Sequence, residues 1–123
     1  MSNARHELGR NAEDLVAAWL EDRGFLILGR NVRLGHLEID IVARCQDLVV
    51  VVEVRARGLG AFERPLASLA SRKRMRVVQA AERLWRLRIR NMRDVRRYRI
   101  DAASVDLRTS PPRIEYVEGA FTG

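Results

Sequence analysis

The chain has 123 residues, and we expect residues 1–123 to form a single domain. Apolar residues make up 47% of it, which is enough for one packed core and excludes a largely disordered chain. The single cysteine, Cys45, excludes an internal disulfide and a zinc site built on several cysteines. The longest aliphatic runs are too short to cross a bilayer, and no basic-then-apolar leader opens the sequence. We therefore expect a soluble cytoplasmic protein with no membrane partner.

The net charge of +7 is concentrated in one third of the chain. Residues 64–99 carry 13 basic and 2 acidic side chains, a net charge of +11, whereas each flanking segment has a net charge of −2. All the basic residues are arginine except Lys73. A field concentrated in this way favours a polyanionic partner, above all nucleic acid. The alternative is a solvated basic helix in a chain that is rich in arginine for other reasons.

The first half of the chain predicts a helix and three strands. Residues 7–23 carry apolar side chains every three or four positions, and Gly24 is placed to end this helix with a left-handed backbone. Residues 25–28 predict a short buried strand. Residues 37–43 alternate between apolar and polar side chains, and residues 48–55 are nearly all apolar, so both predict strands. The short polar break between these two strands predicts an antiparallel hairpin.

A long helix is predicted from about 66 to 90, after a loop marked by Gly58, Gly60 and Pro65. Residues 98–107 and 114–117 predict two further strands, the last at an edge of the sheet. The order α-β-β-β-α-β-β predicts an α/β fold with a mixed sheet of about five strands flanked by helices. The third and fourth strands are predicted to be parallel, because a helix connects them.

The long helix is predicted to press an apolar face on the sheet and to show a basic face to solvent. Lys73 falls near the boundary between the two faces, where a lysine side chain often lies along apolar surface. The predicted nucleic-acid-binding residues of this helix are Arg72, Lys73, Arg76, Gln79, Arg83, Arg86 and Arg90.

The most informative residue is Glu53, which interrupts the most apolar run of the chain. A carboxylate in such a place is costly unless it is paired, hydrogen-bonded or bound to a metal. If the hairpin pairs Ala43 with Leu48, side chains two apart on each strand bring polar groups to one surface. The polar set on that surface is Glu38, Asp40, Glu53 and Arg55. Three converging carboxylates attract a divalent cation, and oxygen-only ligands suit Mg²⁺ or Mn²⁺ better than Zn²⁺.

Structural explanations of the same residues stay open. Glu53 pairs with Arg55 or Arg57 in one of them, and Asp40 is then a surface residue at a strand end. Trp19 and Trp85 lie on the apolar faces of helices, which favours core packing over base stacking. His6 and His36 have no partner at ligand spacing, so both are predicted to be surface residues.

An ordered series of short motifs carries a family resemblance. It runs through Gly9-Arg10-x-x-Glu13, Gly24-Phe25, Arg30-Asn31, Glu38-Ile39-Asp40-Ile41-Val42-Ala43, Val52-Glu53-Val54-Arg55-x-Arg57, Arg72-Lys73-Arg74, Ala80-Ala81, Arg99-Ile100-Asp101 and Glu118-x-Ala120-Phe121. The series closely resembles the uncharacterised bacterial family of the YraN type. That family in turn resembles the restriction-endonuclease-like PD-(D/E)xK superfamily, near the archaeal Holliday-junction resolvases.

The resemblance implies a restriction-endonuclease-like fold and roles for individual residues. Glu13 matches the helix glutamate of this nuclease class, and Asp40 and Glu53 match its pair of metal-binding carboxylates. Arg55 occupies the place of the usual lysine. Because arginine stays protonated, it cannot act as a general base, although it can contact a phosphate. Lys73 either supplies the missing amine from another element or simply lies at a helix boundary.

Three functions are consistent with these observations. The first is a metal-dependent nuclease-like protein that hydrolyses phosphodiester bonds in DNA, including branched DNA, with Mg²⁺ or Mn²⁺ as cofactor. The second is a catalytically lapsed module that binds nucleic acid through its arginine-rich helix face. The third is a small scaffold that binds another protein through the same face. Since resolvases of similar build pair as dimers, the resemblance also raises assembly as a homodimer.

Overall fold

The computed structural model describes residues 4–57 and 71–121. Its elements, in chain order, are α1 (Ala4–Asp22), β1 (Leu26–Leu34), β2 (Leu37–Cys45), β3 (Leu48–Arg57), α2 (Ser71–Leu84), a π-helical turn (Trp85–Ile89), β4 (Arg97–Asp106) and β5 (Arg113–Val117). The predicted order of helices and strands is confirmed for the described part of the chain. The predicted loop and the first residues of the predicted long helix, 66–70, lie outside the described residues.

The five strands form one mixed sheet in the order β1-β2-β3-β4-β5. Neighbouring strands are antiparallel except for β3 and β4, which pair in parallel from Leu48–Arg97 to Arg57–Asp106. The α/β class, the mixed sheet, the parallel crossover and the edge position of the last strand are therefore confirmed. Within residues 4–57 and 71–121, neither helix is both long enough and apolar enough to cross a membrane.

The two helices pack on opposite faces of the sheet, which we call the α1 face and the α2 face. On the α1 face, Ala12, Val16 and Leu20 of α1 pack against Val50 and Val52 of β3. On the α2 face, α2 packs against the alternate side chains of the same strand; this second cluster contains Val77, Ala80, Ala81, Leu84, Val49 and Val51. Since both faces of β3 are covered, its nearly uninterrupted apolar sequence is explained.

The first helix ends as its sequence predicts. Gly24 has a φ of +89°, a left-handed conformation that costs glycine little. Two backbone hydrogen bonds of 3.0 Å close the end, from the N–H of Phe25 to the C=O of Leu20 and from the N–H of Gly24 to the C=O of Glu21. This termination turns the chain directly into β1.

The structure corrects two predicted elements. The short buried strand at 25–28 is instead the nine-residue β1, whose Leu26 side chain is largely exposed because β1 lies at the sheet edge. The predicted α-helix is α-helical only to Leu84, and then passes into the π-helical turn, in which the N–H of Arg90 donates to the C=O of Trp85. A wheel at 100° per residue therefore fails beyond Leu84.

The hairpin of β2 and β3 has a register two residues away from the predicted one. Leu48 pairs with Cys45 and not with Ala43, around a tight turn at Gln46, which has a φ of +56°. Because a shift of two residues preserves the faces of a strand, Glu53 still points where it was expected to point. The same shift moves the position opposite Glu53 from Glu38 to Asp40.

Candidate active site

Asp40 of β2 and Glu53 of β3 lie together where the two strands stop pairing. The last paired residues are Ile41 and Val52, so Asp40 and Glu53 occupy the next position. The backbone N–H of Val54 donates a 2.8 Å hydrogen bond to Asp40 Oδ2, which replaces the missing strand pairing at this point. The carboxyl groups of Asp40 and Glu53 lie within hydrogen-bonding reach of each other. The structure thus brings these two predicted site residues together.

The electrostatics of the pair disfavour two negative charges. Only 11% of the Glu53 side chain is exposed. Burial raises the pKa of Glu53 from its ordinary value of 4.5 to about 8, and the negative charge of Asp40 and the hydrogen bond to it act in the same direction. At neutral pH Glu53 therefore keeps its proton, which a cation of sufficient affinity would displace.

The pair forms the floor of a cleft of about 320 Å³. The β1–β2 turn and β2 supply one wall, and α2 supplies the other. The wall residues are His36, Leu37 and Glu38 on the strand side, and Lys73, Arg76 and Val77 on the helix side. The carboxyl groups are therefore buried on one side and open to a groove with cationic side chains on the other.

Lys73 is a member of this cleft. Its Nζ atom lies 3.7 Å from Oε2 of Glu53, and its side chain is half exposed. Its positive charge opposes the rise in the pKa of Glu53 that burial and Asp40 cause. Of the two interpretations of this lone lysine, the structure supports an amine that reaches the site from another element. This ion pair was not among the structural alternatives for Glu53, which named Arg55 and Arg57 as its partners.

Glu13 approaches the pair from the opposite face of the sheet. Only 15% of its side chain is exposed, and its Oε1 lies 3.7 Å from Nη2 of Arg30. Burial raises the pKa of Glu13, and the charge of Asp40 adds to the effect, while Arg30 and a hydrogen bond from Asn31 lower it. Glu13 is thus in electrostatic reach of Asp40, although it does not line the described part of the cleft.

The predicted convergence of three carboxylates is wrong for Glu38. Its side chain is 43% exposed and lies 4.0 Å from Arg33, at the rim of the cleft. Among residues 4–57 and 71–121, no group of three or more His, Cys, Asp and Glu side chains is close enough to hold a metal ion. The register explains this difference, because Asp40 takes the position opposite Glu53 that Glu38 was expected to occupy.

Arg55 lies two residues after Glu53 on β3 and is partly buried. It is not among the described residues that line the cleft. His36, in contrast, was predicted only as a surface residue and is exposed at the cleft rim. The side chain of His6 lies outside the described residues. Nothing in its spacing could have placed His36 beside the pair, since the turn that carries it is fixed by the tertiary fold.

The predicted basic face of α2 is largely exposed. Arg72, Lys73, Arg76 and Gln79 are all exposed, and so are Arg86 and Arg90 beyond the helix end. Arg83 is an exception, because it is partly buried and its Nη1 donates a 3.3 Å hydrogen bond to the C=O of Leu34. Arg83 therefore ties α2 to β1, and its predicted place on the outward face is wrong.

A second buried carboxylate, Asp101 of β4, has a structural role. Its side chain is fully buried, and Arg99 donates two hydrogen bonds to it, of 2.8 and 3.0 Å. The hydroxyl of Tyr116 and the N–H of Gly119 also donate to it. Tyr116 stacks on Trp19, as Tyr98 stacks on Trp85, and both tryptophans are partly buried against the core, as their core-packing interpretation expects. Every oxygen of Asp101 is thus occupied by neighbours, which leaves none for a ligand.

Comparison with known proteins identifies the family. A model of the family described as "Uncharacterised protein family UPF0102" matches residues 12–105. The chain belongs to the UPF0102 family. A UPF0102 protein of Sorangium cellulosum is 46% identical over 121 residues, which cover 98% of this chain and 84% of that protein. A UPF0102 protein of Anaeromyxobacter dehalogenans is 40% identical, with coverage of 98% and 88%. This membership confirms the family that the sequence resembles.

Among solved structures, SfsA of Pyrococcus furiosus in complex with Ca²⁺ is similar to this UPF0102 chain at a TM-score of 0.45 and 18% sequence identity. The match covers 97% of this chain and 65% of that one.

Proposed function

We propose that this protein is a metal-dependent nuclease-like enzyme that hydrolyses phosphodiester bonds in DNA, with branched DNA as a candidate substrate. The observation that carries the proposal is the Asp40–Glu53 pair, which lies on the floor of a cleft whose helix wall carries Lys73 and Arg76. Carboxylates that are buried against each other and open to a cationic groove fit a site for a hard cation and a phosphate.

The donors of the pair suit Mg²⁺ or Mn²⁺. Both side chains offer only oxygen, and Mg²⁺ is commonly held by one or two carboxylates while it keeps several waters. The open cleft above Asp40 and Glu53 has room for those waters and for a phosphate. Bound there, the cation would supply the activation of a water molecule and the neutralisation of charge that develops on the phosphodiester.

The other side chains of the site have roles that follow from their positions. Lys73 and Arg76 contact phosphate oxygens from the α2 wall, as cationic donors do in charge-assisted hydrogen bonds. Arg55 lies two residues after Glu53 but outside the described lining of the cleft, so it contributes positive charge from a distance, without acting as a base. Glu13 lies on the far side of Asp40 and assists through a bridging water. The exposed arginines of α2 extend the phosphate-binding surface outward from the cleft.

Cleavage of defined DNA substrates tests the proposal. Branched, nicked and single-stranded DNA are each incubated with the protein and Mn²⁺, and the same assay is run on Asp40→Asn and Glu53→Gln. Glu38→Gln is the matched control, because it removes a carboxylate of the same cleft that is exposed and lies outside the pair. We expect cleavage by the natural protein and by the control, and its loss in both pair variants. Cleavage that persists in both pair variants would show that other residues perform the reaction.

The second candidate is a nucleic-acid-binding module whose catalytic site has lapsed. Arg55 favours it, since no lysine occupies that position of β3. This candidate predicts binding that weakens steeply with salt and no cleavage with any metal. A natural protein that binds DNA but does not cleave it would support this candidate over the first, and a gain of cleavage in Arg55→Lys would then show that the site has lapsed at this position.

A further inference from the structure

Strand β1 changes the face to which its side chains point at Asn31. Residues two apart on a regular strand share a face. Arg30, however, forms ion pairs on the α1 face, with its Nη2 atom 2.7 Å from Asp14 Oδ1. Val32, two residues later, packs against the core of the α2 face. Asn31 lies between them with a φ of +51°, a left-handed conformation that inverts the alternation.

Strand β2 makes the same change at Asp40. Ile39 packs in the core of the α2 face, whereas Ile41 packs in the core of the α1 face. The two strands stay in register through this point, because Arg30 pairs with Ile41 and Val32 pairs with Ile39. Asn31 and Asp40 therefore stand opposite each other, and both strands invert at the same position.

The inversion places Asp40 at the junction of the two faces. Neighbouring side chains on a regular strand point to opposite faces. Asp40 should therefore point to the α1 face as the neighbour of Ile39, but to the α2 face as the neighbour of Ile41. Consistent with both, Asp40 lies within hydrogen-bonding reach of Glu53 on the α2 face, and its charge acts on Glu13 of α1. A regular strand would present this carboxylate to one of the two glutamates only.

We propose that Asn31 is a positioning residue of the carboxylate site, and that its left-handed backbone sets the orientation of Asp40. Asparagine is one of the few residues other than glycine that adopt this conformation readily. Its side chain also hydrogen-bonds to Glu13, which joins the inverted position to α1. The Mn²⁺ readout below rests on the proposed function, whereas the readout at the Val54 amide does not.

The test uses two substitutions with opposite effects on the backbone. Asn31→Val disfavours the left-handed conformation and favours a regular strand, whereas Asn31→Gly keeps that conformation accessible and removes the side chain. Asp94→Val is the matched control, because Asp94 is left-handed as well, with a φ of +64°, but lies between the π-helical turn and β4, away from the pair. All variants are compared without metal by circular dichroism and amide NMR.

The first readout is the amide of Val54, whose proton is held by Asp40. We expect Asn31→Val to lose the slow hydrogen exchange of this amide, and Asn31→Gly and Asp94→Val to keep it. The second readout is the dissociation constant for Mn²⁺, which we expect to rise by about 10- to 100-fold in Asn31→Val, the range found when residues that orient metal ligands are changed. Asn31→Gly is expected to restore most of the affinity.

Several outcomes would overturn the proposal: an unchanged Val54 amide in Asn31→Val, an equal loss in Asn31→Val and Asn31→Gly, an equal loss in Asp94→Val, or failure of Asn31→Val alone to fold. The last result would show that the whole fold, and not the site, needs this conformation. If the natural protein binds no Mn²⁺, the proposed metal site fails, while the Val54 amide still decides the role of Asn31.

Discussion

The raised pKa of Glu53 predicts that neutralising this residue stabilises the protein at alkaline pH. The folded protein keeps a proton on Glu53 up to a pKa of about 8, whereas the unfolded chain loses it near the ordinary value of 4.5. Between these two values the folded state binds more protons than the unfolded state, so the free energy of unfolding falls as the pH rises. The substitution Glu53→Gln removes this titration and leaves an uncharged side chain of similar size.

The magnitude follows from the two pKa values. They differ by about 3.5, and each pKa unit corresponds to about 1.4 kcal/mol, which gives a cost on the order of 5 kcal/mol above pH 8. At pH 5, where Glu53 is protonated in the folded protein, the natural chain and Glu53→Gln should differ little. Above pH 8 the variant should be more stable by up to a few kcal/mol.

Urea unfolding at intervals from pH 5 to pH 9, without divalent cations, measures this difference. Glu115→Gln is the control, because Glu115 is an exposed glutamate on β5. The difference between Glu53→Gln and the natural protein should grow with pH, while the difference for Glu115→Gln stays flat. A Glu53→Gln curve that runs parallel to that of the natural protein at all pH values would refute the argument that burial and Asp40 hold a proton on Glu53.

Three further predictions follow from other contacts. Lys73→Met should lower the single-turnover rate of DNA cleavage on the order of 10²-fold, since removal of one electrostatic donor has effects of this size. Lys73→Arg keeps the positive charge and should retain more of the rate, so equal rates in the two variants would contradict a phosphate contact. Replacing Arg72 and Arg76 together by Gln should reduce the slope of log affinity for DNA against log salt by about one for each lost phosphate contact, as filter binding at several salt concentrations will show. Asp101→Asn should lower the free energy of unfolding by about 1–3 kcal/mol, because the amide NH2 of asparagine cannot accept the hydrogen bonds that Arg99, Tyr116 and Gly119 donate to this buried position. A loss below about 0.5 kcal/mol, the range of ordinary surface substitutions, would contradict the role of this network.

Much of the fold was predictable because its elements have strong periodicity. The alternation of residues 37–43, the apolar run of β3 and the glycine after α1 each indicate one structure. The length and the edge position of β1 were not predictable from its sequence. A short apolar run does not show whether a strand pairs with one neighbouring strand or with two. The π-helical turn was not predictable either, since a helix wheel assumes a constant number of residues in each turn.

The carboxyl pair was predictable only in part. A glutamate in an apolar run marks β3, and strand alternation gives its face. The partner depended on the register of the hairpin, and the two-residue turn at Gln46 exchanged Glu38 for Asp40. The ion pair between Lys73 and Glu53 depends on the docking of α2, which no local pattern determines. No sequence pattern indicated that the side chains of β1 change face at Asn31, because asparagine inside a strand is compatible with either a regular or a kinked backbone.

The proposed function requires that Asp40 and Glu53 hold one hard cation between them. Anomalous scattering from manganese in crystals soaked in Mn²⁺ at pH 8 would locate such a cation. We expect one anomalous peak within about 2.0–2.3 Å of an oxygen atom from each carboxylate, close to the distances at which such cations are bound, and no peak in crystals of Asp40→Asn. A natural protein that shows no peak at this position, or a peak that persists unchanged in Asp40→Asn, would contradict it.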